Sequence, residues 1–295
     1  MKKKKILVTG GSGILGRILI PEIDKLGYDL VILERNKQTK SKKYLHCDIR
    51  NFNEINKILN IHNPEIIIHL AGITGNAECE AKVHDSIFTN IFGTYNILKS
   101  SIKNKPKIIF ASSREVYRET NEKMNELSLL DPKNINGITK MFSEKLIQNF
   151  HKEFKIPFVI LRFSNFLGEA NEKRGISIMI KNAIQKNKIT MFGGNQELDL
   201  LYYDDAVNAI IRSIEYDKSD VFNIATGNPI MLKNIIKKIE KLLGREIEII
   251  TKPIRSFESL YCKLDTSKAN KYLKFTASAN IDIILKEMIS RWAKI

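Results

Sequence analysis

Short apolar segments alternate with amphipathic helical patterns from the start of this chain to about residue 225. Most of the apolar segments are continuous runs, which is typical of strands that are covered by helices on both faces. This alternation predicts parallel βαβ units, and therefore an α/β fold with a doubly wound parallel sheet. The predicted strands span 6–8, 30–33, 65–69, 108–111, 158–162 and 221–224.

The segments between these strands have helical spacing of apolar residues and predict helices over 13–26, 51–60, 85–104, 135–154, 175–187 and 204–216. Pro21 falls inside the first helix, where a kink or local irregularity is expected because proline removes a backbone hydrogen bond. Beyond residue 225 the pattern predicts a helix over 231–243, a strand over 246–251 and a terminal helix that ends near Trp292.

The composition is that of a soluble globular protein, since the 295 residues are 43% hydrophobic and 27% charged. Every apolar run is shorter than the roughly 18 residues of a membrane span, and the one after the basic N-terminus is too short for a signal peptide. Cys47, Cys79 and Cys262 are odd in number and far apart, which favours neither a disulfide framework nor a zinc site. A cytoplasmic protein without a metal or a membrane segment is expected.

The chain carries 48 Lys and Arg against 33 Asp and Glu, so its formal charge is 48 − 33 = +15. A nucleic-acid-binding surface would gather these cations into one stripe with interleaved aromatic residues, whereas here they are scattered. The charge therefore indicates a solvated, lysine-rich surface and no nucleic-acid partner. Part of the excess can steer a substrate that bears a pyrophosphate.

A glycine-rich turn, TGGSGILG, spans residues 9–16, directly after the first predicted strand and at the start of the first helix. This context is the one that a dinucleotide-binding turn requires. Gly10 is expected to make the tight turn, Gly13 to admit the pyrophosphate and Gly16 to allow close packing of helix and strand. Ile14, next to Gly13, is counted among the cofactor-binding residues.

The second strand ends at Glu34, about twenty residues after the glycines. A carboxylate there binds the adenosine ribose and repels a 2′-phosphate, which favours NAD. Arg35 can stack on the adenine or pair with a 2′-phosphate, so NADP stays the alternative. Asp48 and Ile49 follow the next apolar segment and are predicted to line the adenine pocket, the alternative for Asp48 being an ordinary turn residue.

Six further motifs occur in order: IHLAG at 68–72; Asn90 with Gly93; ASS at 111–113 followed by Tyr117; Arg162 with Asn165; YYDD at 202–205; and Asn223 with Gly227. Together with the glycine turn, the series resembles the extended short-chain dehydrogenase/reductase family, specifically its nucleotide-sugar epimerases and dehydratases. The resemblance covers nearly the whole chain.

The resemblance implies a Rossmann domain formed by 1–165 plus about 200–224, and a smaller α/β substrate domain formed by about 166–199 and 225–295. It implies hydride transfer through a keto-sugar intermediate, with Leu70 and Ala71 among the residues that bind NAD. It also implies a homodimer, because the helices equivalent to 85–104 and 135–154 pair across a two-fold axis in the family.

The same resemblance assigns the chemistry to Ser113 and Lys140, but the family's tyrosine position is Asn136. An amide has no proton equilibrium near neutral pH and cannot act as a general base. The acid/base role then passes to another group, to a water molecule held on Asn136, or to the substrate itself. Tyr95 and Lys99 repeat the Y-x-x-x-K spacing but are predicted to be structural.

Glu115 matches a glutamate that dehydratases and decarboxylases of the family carry two residues after the serine or threonine. In dehydratases it removes the C5 proton beside the C4 ketone. The alternative is a carboxylate that is paired with Arg114 or Arg118.

The substrate half departs from the family, since Leu198 stands where an arginine commonly binds the nucleotide's phosphates. Arg174, Lys181 and Arg255 are candidates for that role, although each is also compatible with a solvated surface position. Asn165 and Arg255 are the predicted substrate-binding residues.

These features favour an NAD-dependent nucleotide-sugar epimerase or dehydratase with an atypical active site. The alternative is a catalytically inactive relative that binds NAD and a nucleotide sugar as a sensor or partner subunit. An atypical reductase or a nucleic-acid-binding member of the fold is the third interpretation.

Overall fold

The computed structural model describes residues 3–35, 43–168 and 175–293. The strands are β1 (Lys5–Thr9), β2 (Asp29–Glu34), β3 (Tyr44–His46), β4 (Ile66–His69), β5 (Lys107–Ser113), β6 (Phe158–Phe163), β7 (Asn165–Leu167), β8 (Lys188–Phe192), β9 (Glu197–Leu198), β10 (Leu200–Tyr202), β11 (Asp220–Ile224), β12 (Ile230–Met231) and β13 (Glu248–Lys252). Strands β1 to β6 and β11 form one parallel sheet in the order β11-β6-β5-β4-β1-β2-β3.

The helices are α1 (Ile14–Lys25), α2 (Phe52–His62), α3 (Asn76–Ala81), α4 (Val83–Ser86), α5 (Gly93–Ser100), α6 (Ile135–Phe154), α7 (Gly175–Lys186), α8 (Tyr203–Ile214), α9 (Leu232–Leu243) and α10 (Ile281–Trp292). A π-helical turn, Ile87–Phe92, joins α4 to α5, and a 3-10 turn, Arg114–Val116, follows β5. A second π-helical turn spans Ala269–Leu273.

The strand order reverses between β1 and β4, where the chain runs outward to β2 and β3 on one side and to β5, β6 and β11 on the other. This is the doubly wound Rossmann arrangement that the alternating pattern predicts, and the predicted fold class is confirmed. In such sheets, ligands bind outside the carboxyl ends of the strands at the point of reversal. That point lies directly above the glycine-rich turn.

Apolar layers cover both faces of the sheet. In β1, Ile6 and Val8 pack into one layer while Leu7 packs into the other. Successive side chains of a strand point to opposite faces, so a strand buried on both sides must be apolar at every position. A third apolar cluster joins α7, α9 and α10 around Ile180, Ile236 and Leu285. The domain boundaries stay a prediction.

Several predicted elements differ in detail. The helix predicted over 85–104 is α4, a π-helical turn and α5, and it ends at Ser100. Strand β3 has only three residues, all of them partly or fully exposed, so its pattern did not predict a strand. Helix α1 continues through Pro21, and because Pro21 is exposed, the carbonyl that loses its partner can be hydrated.

A buried ion pair fastens α6 to the sheet. Arg162 of β6 and Glu144 of α6 are 2% and 0% exposed, and Nη2 of the arginine lies 2.7 Å from a carboxylate oxygen. The hydroxyl of Ser112 donates to the same carboxylate at 2.5 Å. Arg162 also donates to the hydroxyl of Tyr117, which in turn donates to Asn223 of β11. The pair therefore connects α6 with β5, β6 and β11.

We expect Glu144→Gln to destabilise the protein by about 3 to 5 kcal/mol, because the substitution leaves the buried guanidinium without a counter-charge. Urea unfolding followed by circular dichroism measures the change. The matched control is Glu22→Gln, which removes an exposed ion pair with Lys25 and is expected to cost less than about 1 kcal/mol. Equal effects of the two substitutions would contradict a structural role for the buried pair.

Candidate active site

The glycine turn after β1 is too crowded for side chains at two positions. Gly10 has a φ of +74°, and a Cβ atom placed there would lie 2.7 Å from the backbone nitrogen of Ala71. A Cβ atom on Gly16 would lie 2.6 Å from the carbonyl oxygen of Gly10. Gly13, which is exposed, precedes the first helical residue, Ile14. The turn therefore brings the bare backbone at the start of α1 next to the end of β4.

A chain of hydrogen bonds runs behind this turn. The N–H of Ala71 donates to Thr9 Oγ1 at 3.2 Å, and Thr9 Oγ1 lies 2.8 Å from His69 Nδ1. On the other side of the imidazole, Nε2 lies 3.0 Å from Thr94 Oγ1, whose hydroxyl donates to the carbonyl of Asn90. Burial, with a smaller contribution from Lys140, lowers the pKa of His69 to about 3. The ring is therefore neutral, with Nδ1 accepting and Nε2 donating.

Glu34 ends β2 beside the glycine turn. It is 7% exposed, and a Cβ atom placed on Gly11 would lie 3.4 Å from its Oε1 atom. Burial raises the pKa of the Glu34 carboxyl. Arg35 follows as an exposed residue. The predicted ribose-binding carboxylate thus lies over the turn, while Arg35 is exposed to solvent.

Asp48 and Ile49 follow β3 at the same edge of the sheet. The carboxylate of Asp48 accepts hydrogen bonds from the Arg50 guanidinium, at 3.0 Å from Nε and 2.6 Å from Nη2, and from the Arg50 backbone N–H at 2.9 Å. These bonds are the main reason that the pKa of Asp48 is lowered. Ile49 is buried against Gly93 of α5. The D-x-R spacing in the sequence was the available signal for the Arg50 partner, which the sequence analysis missed.

Lys140 lies at the centre of this edge. Its Nζ atom donates to the carbonyl of Ala111 at 2.6 Å and lies 4.7 Å from the centroid of the Phe110 ring. A Cβ atom placed on Gly72 would lie 3.8 Å from Nζ, so the backbone after Leu70 and Ala71 passes beside the amine. Burial lowers the pKa of Lys140 to about 8.

The 3-10 turn after β5 holds an ion pair that is almost fully buried. Glu115 Oε1 lies 2.8 Å from Nη2 of Arg114, and both side chains are 6% exposed. The other oxygen, Oε2, accepts from Asn134 at 2.8 Å and lies 3.4 Å from the Ser259 hydroxyl. The ion-pair alternative for Glu115 is therefore realised with Arg114. Arg118 instead lies 3.6 Å from Asp131.

The end of β5, which carries Ser113, packs against the first turn of α6, which carries Asn136. Ser113 Oγ accepts from the backbone N–H of Glu115 at 3.2 Å and caps the 3-10 turn. Asn134 caps α6 through the N–H of Gly137, and a Cβ atom on Gly137 would clash with the Glu115 carbonyl. The first turn of α6, which carries Asn136, is thus pressed against the end of β5.

Asn136 has a partner that sequence reasoning missed. Its Nδ2 donates to Oδ1 of Asn76, the first residue of α3, at 3.2 Å. Its own Oδ1 is buried and has no hydrogen-bond partner within the described ranges 3–35, 43–168 and 175–293. One turn further along α3, Glu80 accepts from the N–H of Ile135 at 2.9 Å. Nothing in the sequence marks α3 as a neighbour of α6, since the two are about 60 residues apart.

The two predicted substrate-binding residues, Asn165 and Arg255, lie in β7 and in the segment after β13. Asn165 begins β7, and its buried Oδ1 lacks a hydrogen-bond partner among the residues that the structure describes. Arg255 lies between two aromatic rings, 4.6 Å from the centroid of Phe192 and 5.0 Å from that of Phe257. Its Nε donates to Glu258 at 2.9 Å.

The other candidates lie elsewhere. Leu198 is part of β9 and packs into the third apolar cluster opposite Ile230. The amine of Lys181 lies 5.1 Å from the centroid of a Trp292 ring. Arg174 lies outside the described residues. Tyr95, the first residue of the second Y-x-x-x-K spacing, lies on α5 with its ring edge against Phe150.

Neither a metal-binding cluster nor a membrane-spanning helix is found in the described part of the chain. It contains no group of three His, Cys, Asp or Glu side chains that could hold a metal ion. None of its helices combines the length and the apolar character needed to cross a membrane.

The fold and this edge of the sheet define a nucleotide-binding α/β protein. The profile of the NAD dependent epimerase/dehydratase family matches residues 6–225, and the chain belongs to that family. The predicted family is thereby confirmed, and with it NAD as the cofactor of the family.

Relatives of known name span the whole chain. A putative UDP-glucose 4-epimerase of Methanocaldococcus jannaschii is 30% identical over 98% of each chain. A UDP-N-acetyl-alpha-D-glucosaminuronate decarboxylase of Bacillus cytotoxicus is 27% identical over 99% of each chain. Among solved structures, a UDP-glucose 4-epimerase of Thermotoga maritima with UDP-glucose superposes with a TM-score of 0.91 at 26% identity, covering 98% of this chain and 99% of its own.

Proposed function

We propose that this protein is an NAD-dependent enzyme of the epimerase/dehydratase type, which acts on a nucleotide sugar through a keto-sugar intermediate. The observation that carries the proposal is an unbroken run of contacts along the carboxyl edge of the sheet, from the glycine turn to Ser113. The glycine turn contacts Ala71, and the next residue, Gly72, passes beside Lys140, whose amine contacts the strand that ends at Ser113. A dinucleotide on the turn would therefore extend to the buried amine and the hydroxyl.

The residues at the turn fit NAD. The crowding at Gly10 and the exposed backbone at Gly13 and Ile14 suit a pyrophosphate at the start of α1. Glu34 is placed for the adenosine ribose and would repel a 2′-phosphate, so NADP is the weaker alternative even with Arg35 beside it. When bound, NAD supplies the hydride acceptor.

The remaining cofactor residues divide between the two ends of the dinucleotide. Asp48 and Ile49 would border the adenine, with the Arg50 guanidinium beside them. Leu70, Ala71 and Lys140 would contact the nicotinamide half.

Lys140 is the group best suited to replace the tyrosine as proton acceptor. Asn136 carries no proton that it can exchange near neutral pH, and both oxygens of Glu115 are engaged by neighbouring side chains. Lys140 lies one helical turn from Asn136, and burial brings its pKa to about 8. Its neutral amine would take the proton of the reacting hydroxyl, while Ser113 donates a hydrogen bond to the same oxygen.

The role of Glu115 depends on which of the two reactions the protein catalyses. In a dehydratase it would remove the C5 proton, which requires the carboxylate to leave Arg114. In an epimerase it would stay in the ion pair and support the turn after Ser113.

Substrate binding is assigned to Asn165 and Arg255. The guanidinium of Arg255 packs against two aromatic rings and donates to Glu258, so it would bind a phosphate by exchanging or sharing that carboxylate, a role that Leu198 cannot fill. The second candidate function, an inactive relative that binds NAD and a nucleotide sugar, is favoured by the same two departures, Asn136 and Leu198.

The test is mass spectrometry of UDP, GDP, dTDP and CDP hexoses incubated with the protein and NAD in deuterated water. An enzyme of this class is expected to give an epimer, a loss of water or a gain of deuterium. Asn136→Tyr is run in parallel as the variant that restores the family's residue. Binding of a sugar nucleotide with no product from the natural chain, but product from Asn136→Tyr, would favour the inactive alternative.

If Lys140 accepts the proton, the rate is expected to rise as pH increases through about 8 and then to level off. The reason is that only the neutral amine, which predominates above its pKa, can accept a proton. The measurement is kcat as a function of pH, with NAD affinity followed at each pH as the control. A rate that does not change across this range would contradict the assignment.

We also propose a homodimer formed through α4, α5 and α6. His84, Phe88 and Phe92 form a stack of rings along α4 and the π-helical turn, with centroids 4.4 and 5.0 Å apart. Phe88 and Phe92 are 42% and 50% exposed, and Phe142 on the neighbouring α6 is 51% exposed. An exposed aromatic face of this kind is typical of a protein interface.

Light scattering after size-exclusion chromatography is expected to give a mass of 2 × 33.9 kDa for the natural protein. Phe92→Asp is expected to give a monomer, because it places a charge in the apolar interface. Leu127→Asp, at an apolar residue that is 94% exposed on a different loop, is the matched control and should stay dimeric. A monomeric natural protein would overturn the proposed dimer.

A further inference from the structure

We infer that Asn76 and Asn136 form a paired-carboxamide subsite that binds one hydroxyl group of the sugar. The inference rests on the proposed function and adds to it a specificity-determining residue, Asn76. The juxtaposition that carries it is a hydrogen bond of 3.2 Å between the two amides, together with an Asn136 oxygen that has no partner in the described part of the chain.

The side-chain oxygen of Asn136 is a buried hydrogen-bond acceptor. Asn136 is 6% exposed, and its Oδ1 has no hydrogen-bond partner among the described residues. A buried acceptor without a partner costs about 1 to 3 kcal/mol. A ligand hydroxyl that donates to this oxygen removes the cost. The position therefore favours a ligand with a hydroxyl group over one that places an apolar group there.

The amides are held in place from both sides. The backbone carbonyl of Asn136 accepts from Thr139 Oγ1 at 3.0 Å, and Thr139 Oγ1 in turn accepts from Asn90 Nδ2 at 3.0 Å. Helix α3 is anchored to the start of α6 by the bond between Glu80 and the N–H of Ile135. A ligand therefore meets groups that are already ordered, which lowers the entropic cost of binding.

The location matches the reacting centre of the proposed function. Asn136 and Lys140 are four residues apart on α6 and lie on the same face of the helix. Asn136 precedes Gly137, which packs against the carbonyl of Glu115, and Glu115 lies two residues after Ser113 at the end of β5. A hydroxyl bound by the amide pair would lie in the same region as the amine and the serine.

The chemistry of an amide determines what the pair selects. A carboxamide is uncharged at every physiological pH, so it accepts a hydrogen bond from a hydroxyl without taking its proton. A ligand that lacks this hydroxyl leaves the buried oxygen unpaired and is bound more weakly. The pair thus orients the sugar, and proton transfer is left to a neighbouring group.

Isothermal titration calorimetry tests the subsite. The nucleotide sugar of the UDP, GDP, dTDP and CDP hexose panel that binds the natural protein most tightly is compared with its own nucleoside diphosphate, both in the presence of NAD. Asn76→Ala is expected to weaken binding of the sugar nucleotide about tenfold, which corresponds to about 1.4 kcal/mol, and to leave binding of the diphosphate unchanged.

Two further variants separate this role from a structural one. Asn76→Asp keeps an acceptor for Asn136 Nδ2 and is expected to retain most of the affinity for the sugar nucleotide. Asn56→Ala is the matched control, because it removes an amide–amide bond of 3.3 Å with Asn60 on the surface of α2. It is expected to change neither affinity.

The outcomes distinguish the inference from the function on which it rests. Equal weakening of the sugar nucleotide and the diphosphate by Asn76→Ala, or no weakening of either, would overturn the subsite while leaving the proposed function in place. A natural protein that binds none of the nucleotide sugars would overturn the proposed function first, and the subsite with it.

Discussion

The candidate site depends on a chain of hydrogen bonds between uncharged side chains, which is buried at the carboxyl edge of the sheet. Thr9, His69 and Thr94 connect the end of β1 with the end of β4 and with α5. Asn90 continues the chain to Thr139 on α6. Each donor in it has an acceptor, and this complete pairing is what allows so many polar groups to be buried together.

The neutrality of this network matters because a cation lies beside it. Burial is the main reason that the pKa of each group is lowered, and the charge of Lys140 adds to the effect at the imidazole of His69. The pKa of His69 is lowered to about 3, so its ring stays uncharged. The lysine keeps a pKa near 8, within the range where it can exchange a proton at cellular pH. One desolvated region thus holds an inert hydrogen-bonding ring next to a titratable amine.

Two of the candidate residues, Asn136 and Glu115, are each paired with a neighbouring side chain. The amide of Asn136 is paired with the amide of Asn76, and the carboxylate of Glu115 forms an ion pair with Arg114. The glycine turn and Glu34, by contrast, retain the geometry of a dinucleotide site. The glycine turn therefore presents bare backbone, while Asn136 and Glu115 carry polar groups that neighbouring side chains already engage.

The sequence determined the sheet and the cofactor turn, because both leave local signatures. Strands buried on both faces must be apolar throughout, and a crowded turn must be glycine, so β1, β4 and Gly10 could be predicted without any knowledge of their neighbours. Strand β3 escaped prediction because a short, half-exposed edge strand has no such signature.

Only the tertiary structure decided which side chains meet at the site. The partner of Asn136 lies on α3, and the ring between Thr9 and Thr94 comes from β4. These contacts join residues that are up to 60 positions apart, and no periodicity along the chain encodes them. The sequence places an amide at position 136, but only the folded structure shows that Asn76 pairs with it and that its oxygen has no partner among the described residues.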